Sequence, residues 1–68
     1  MRNSSPNRDV EIAVVVKRST ERAILVNHGV REEVWVPKSQ ISDFVGDDID
    51  TAESIFIPEW LAIEKGMV

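Results

Sequence analysis

"VEIAVVVK", residues Val10–Lys17, decides how this chain folds. β-Branched residues dominate it, and they fit a pleated sheet better than a helix. Side chains alternate across a strand, so Val10, Ile12, Val14 and Val16 share one face while Ala13 and Val15 share the other. The second face thus carries apolar residues too, between Glu11 and Lys17. A strand with one wet face alternates apolar with polar residues instead, so something must cover both sides of the sheet that this strand joins.

Downstream, polar "RSTE" (Arg18–Glu21) predicts a turn and "RAILVNH" (Arg22–His28) a second strand, broken at Gly29. "REEVWV" (Arg31–Val36) is a third strand, stopped by Pro37, which has no N–H to give a ladder. These three segments with short links make an antiparallel meander. "PKSQISDF" (Pro37–Phe44) predicts a short 3₁₀ or helical turn, with Ser39 as its cap and Ile41 and Phe44 tucked inward. "VGDDIDTAE" (Val45–Glu53) reads as an acidic loop and "SIFI" (Ser54–Ile57) as a fourth strand. "PEWLAIEKG" (Pro58–Gly66) predicts a C-terminal helix, with Pro58 at its start, Glu59 at its positive end and Gly66 at its stop. So short a helix is unstable alone and must dock, with Trp60, Leu61 and Ile63 as the expected anchors. The expected fold class is α+β: an antiparallel β-sheet of about four strands, a β-meander, followed by one short C-terminal helix. It forms a single domain over residues 10–68, after a disordered tail, "MRNSSPNRD", over residues 1–9.

Composition bounds the function. The chain has 68 residues, 43 % of them hydrophobic and 29 % charged, as in a folded domain near the lower size limit for one core. It has no cysteine, so neither disulfides nor thiolate metal sites can staple it. A net charge of −4 opposes coating of nucleic acid by bulk electrostatics. No apolar run reaches the length of a membrane span and no secretory signal is apparent, so a cytoplasmic protein without a membrane partner is expected.

Alternation across the meander collects Ile12, Val14, Val16, Ile24, Val26, Val34 and Val36 on one face, and Ala13, Val15, Ala23, Leu25 and Trp35 on the other. One short helix covers one face at most. Two outcomes follow. The second face is buried against another chain, most simply in a homodimer with Val15, Leu25 and Trp35 as the partner interface. Alternatively, the strands curl into a small closed barrel that packs Trp35 under the helix.

Little chemistry is encoded. Asp43, Asp47, Asp48 and Asp50 could in principle gather around a hard cation, but their spacing fails the calcium-loop pattern and fits a solvated loop. His28 is the only histidine and lacks partners for zinc or a triad. Lys38 and Ser39 are sequence neighbours that point apart in a turn, without an oxyanion hole. No catalytic residue, metal or cofactor is expected, and an enzyme is not. Lys17, Arg18 and Arg22 surround the first hairpin, with Arg31 nearby on the third strand, as a possible contact to a nucleic-acid backbone. None of the four aromatics, Trp35, Phe44, Phe56 and Trp60, interleaves with them in sequence as a stacking platform would.

Two stretches carry a resemblance: "WVPKSQI" (Trp35–Ile41) and "EWLAIEKGM" (Glu59–Met67), together about a quarter of the chain. They resemble a motif pair in small proteins of bacteriophages and mobile elements. That resemblance implies an accessory protein in a bacterial host cell that works by binding a host macromolecule, inhibitors of CRISPR nucleases being one such class. The β-β-β-β-α order is also similar to the half-unit of the coactivator/Whirly single-stranded-DNA-binding fold, which works as a dimer.

Overall fold

The structure, a computed structural model, describes residues 8–29 and 33–67. Six strands and one helix follow in order: β1 (Asp9–Ala13), β2 (Val15–Ser19), β3 (Ala23–Asn27), β4 (Glu33–Pro37), β5 (Asp43–Val45), β6 (Ser54–Pro58) and α1 (Glu59–Glu64). Single 3₁₀ turns at Lys38–Gln40 and Ile49–Thr51 flank β5. All strand pairings are antiparallel, in two three-stranded sheets ordered β1-β6-β5 and β2-β3-β4.

The α+β class and the meander β2-β3-β4 agree with expectation, but the described residues form six strands rather than about four, in two sheets rather than one. The opening segment accounts for the difference. It is one apolar run that serves both sheets, turning from one into the other at Val14, whose N–H leaves the ladder to donate to the Glu53 carbonyl at 3.0 Å. β6 does not extend the meander; it pairs with β1, Val10 opposite Ile57 and Ile12 opposite Ile55. β5 forms where a turn and the start of the acidic loop were expected. Strand β1 takes in Asp9, the last residue of the expected tail, which pairs with Pro58; residues 1–7 of that tail lie outside the described residues.

The inward face is as the alternation predicts. Ile24, Val26 and Val36 of β2-β3-β4 share one cluster with Ile12, Ile55 and Ile57 of β1-β6-β5 and with Val14 between the sheets, and Ala52, Leu61 and Ala62 close it. Val16, Val34, Ile41 and Phe44 pack at its margin. Full burial of each such aliphatic chain contributes roughly 1.5–3 kcal/mol, and five of them here are completely enclosed.

Helix α1 corrects one expectation. Leu61 and Ala62 are its buried residues, whereas Trp60 and Ile63 remain 42 % and 60 % exposed. The helix starts directly from Pro58 at the end of β6, so the junction sets its rotation and turns the Leu61–Ala62 edge inward. Its end is a Schellman closure: the Gly66 N–H donates to Ile63 O at 3.0 Å and the Met67 N–H to Ala62 O at 2.8 Å. Gly66 supplies the required positive φ of +73°, and Met67 returns to the core.

The acidic segment is more constrained than a solvated loop. Gly46 follows β5 at φ +137°, where a Cβ would lie 3.1 Å from the Ala52 Cα and 3.2 Å from the Thr51 carbonyl oxygen. The chain folds back so tightly there that the Glu53 N–H reaches the Val45 carbonyl at 2.7 Å.

A candidate interaction surface on the second sheet

The outward side of β2-β3-β4 is built by register. Leu25 stands opposite Trp35 on β4 and opposite Arg18 on β2, so Arg18, Leu25 and Trp35 form one cross-strand row. The adjacent row is Val15, Asn27 and Glu33. Val15 is 58 % and Trp35 43 % exposed, and Leu25 is half-buried. The interface candidates Val15, Leu25 and Trp35 thus share one outward face, and nothing of the described chain covers it. Trp35 does not pack under α1 as the closed-barrel alternative has it; the inner face of β2-β3-β4 is closed by β1-β6-β5 instead.

A β-bulge sets the composition of this face. The β2–β3 register shifts between Val16 and Arg18, making Lys17 an extra residue. Strict alternation would turn Arg18 inward with Val16. The inserted residue reverses that parity: Arg18 joins Leu25 and Trp35 outside, and Ser19, opposite buried Ile24, turns toward the 3₁₀ turn at Ile49–Thr51. The sequence reading separated the basic hairpin from every aromatic; the bulge brings Arg18 into the row of Trp35. Only an irregularity in the "VVVKRS" run could have signalled this, and no residue there marks it.

The basic candidates divide accordingly. Lys17 and Arg18 lie on exposed β2, and Arg22 lies in the hairpin turn, its N–H held by the Thr20 hydroxyl at 3.3 Å. That turn is tighter and later than expected, because β2 runs on through Ser19. Arg31 lies outside the described residues.

Ser19 donates to Asp50 Oδ1 at 2.5 Å, and Lys38 Nζ lies 3.3 Å from the same oxygen. Asp50 therefore ties β2 to both 3₁₀ turns. The Ser19 hydrogen bond, opposed by partial desolvation and aided by Lys38, holds its carboxyl below the usual carboxylate range. Asp48 accepts from the Asp50 N–H and caps the second turn. The first turn has Pro37 at its N-cap position with no side-chain cap bond, so Ser39 does not play the expected role. Among the described residues, no group of three or more His, Asp or Glu side chains gathers as a metal site, and no helix is long and apolar enough to cross a membrane. His28 lines a shallow groove with Ala13, Val15 and Asn27.

Comparison with protein-family models, curated proteins and solved structures returns no match for this chain.

Proposed function

We propose that this chain is a small non-enzymatic protein that acts by binding a macromolecule through the outward face of β2-β3-β4. The supporting observation is the row Arg18–Leu25–Trp35 beside Val15, an open apolar surface with a polar margin. Aromatic and arginine side chains are the usual energetic anchors of protein interfaces, and apolar patches of this kind mark them. With the resemblance to phage and mobile-element proteins, the sharpest version has the bound complex blocking a component of a bacterial defence nuclease in the cytoplasm of the host.

A second reading has one observation in its favour. Arg18 and an exposed indole share one cross-strand row, on either side of Leu25, a combination that single-strand binding uses, with Lys17 and Arg22 for backbone contact. The net charge of −4 and the single aromatic on this face weigh for a protein partner.

Co-purification with a candidate nuclease complex tests the proposal, comparing the natural chain with Trp35→Glu. The expected result is a stoichiometric complex lost in the variant. Retention of the complex by a folded Trp35→Glu chain would refute the assigned surface. A salt-steep affinity for single-stranded DNA, reduced by Arg18→Ala, would favour the second reading.

A further inference from the structure

We infer that a second copy of this chain occupies the outward face of β2-β3-β4, in a two-fold dimer whose axis runs along β3. The inference rests on the reading of that face as an association surface and names a second copy as its occupant in the free protein, one that a host partner bound to the same face would displace.

The arrangement of side chains about β3 carries it. Leu25 lies on the central strand, Arg18 on the β2 side and Trp35 and Glu33 on the β4 side. A two-fold parallel to β3, lying between two facing sheets, places β2 of each copy over β4 of the other. Leu25 then meets Leu25 of the second copy. Each Arg18 lies over the opposing Trp35, the geometry of a cation–π contact. Glu33 is two residues along the strand from Trp35, roughly 7 Å away, within the reach of the same guanidinium. A two-fold running across the strands through the same Leu25 row would set Arg18 on Arg18, and like charges in register oppose association. The face is thus self-complementary about one axis and self-repelling about the other. An unrelated partner would need this pattern by coincidence; a second copy has it by symmetry.

A charge-reversal exchange tests this without touching the core, since Arg18 and Glu33 are both exposed. The natural chain is expected to have twice its 7.7 kDa monomer mass by light scattering at micromolar concentration. Arg18→Glu alone sets Glu against Glu33 of the other copy, and Glu33→Arg alone sets Arg against Arg18. Each is expected to weaken the dimer by about tenfold or more. Mixing the two variants forms a heterodimer in which both cross-pairs are again opposite in charge, and dimer mass returns. Circular dichroism of each variant verifies the fold. A natural chain that stays monomeric to hundreds of micromolar, or two variants that fail to recover on mixing, overturns the dimer. If Trp35→Glu then still abolishes a complex with a different protein, or a bound oligonucleotide, the face remains an association surface with another occupant. If Trp35→Glu changes neither mass nor any complex, the functional reading falls with the dimer.

Discussion

Alanine at Gly46 should destabilise the domain through two separable effects. The backbone there holds φ +137°, and an added Cβ would sit 3.1 Å from the Ala52 Cα and 3.2 Å from the Thr51 carbonyl oxygen. Holding a non-glycine residue in a sparsely populated backbone region costs roughly 1–3 kcal/mol. Both neighbours are main-chain atoms of a segment pinned by the Glu53–Val45 hydrogen bond, so they yield only by shifting the turn. Losing glycine also stiffens the unfolded chain, which returns about 0.4–1 kcal/mol. The net expectation is a loss of about 1–3 kcal/mol, or a Tm lower by several to about 20 °C for a domain this small. Gly66→Ala supplies the control. Its φ is +73°, but a Cβ would meet nothing within 4 Å, so only the backbone cost applies. Urea unfolding followed by circular dichroism compares the two. A Gly46→Ala chain no less stable than Gly66→Ala would refute the claim that close approach of the main chain shapes the acidic segment.

Three other outcomes are expected. Ile55→Ala, at a fully enclosed position between the sheets, should cost about 2–5 kcal/mol by denaturant unfolding; a loss under about 1 kcal/mol would mean the two sheets do not share one core. On α1, Leu61→Ala should destabilise by about 2–4 kcal/mol and Trp60→Ala by much less, and the reverse order would contradict the observed rotation of the helix. Ser19→Ala should raise the Asp50 pKa toward the usual carboxylate value, read by NMR titration. Because the folded-state pKa is lowered, the Asp50 contribution is complete above the unfolded value and is lost as pH falls through the folded one. The natural chain should therefore lose more stability than Ser19→Ala on acidification below the usual carboxylate range, and parallel pH profiles would rule the clamp out.

Sequence alone determined which apolar side chains of the meander strands face the core. Ile12, Val14, Ile24, Val26 and Val36 alternate against Val15, Leu25 and Trp35, and period-two alternation is a local property that holds along a strand until a bulge interrupts it. The Pro37 strand end and the Gly66 helix stop were legible for the same reason, since each depends on the residue's own backbone chemistry. Tertiary structure decided the rest. Whether an apolar run stays one strand or turns at Val14 depends on a bond to Glu53, far away in sequence. Local alternation likewise could not show that Lys17 is the inserted residue, because a bulge exists only relative to the strand it faces. Arg18 reaches the Trp35 row, and Ser19 reaches Asp50, through that non-local pairing.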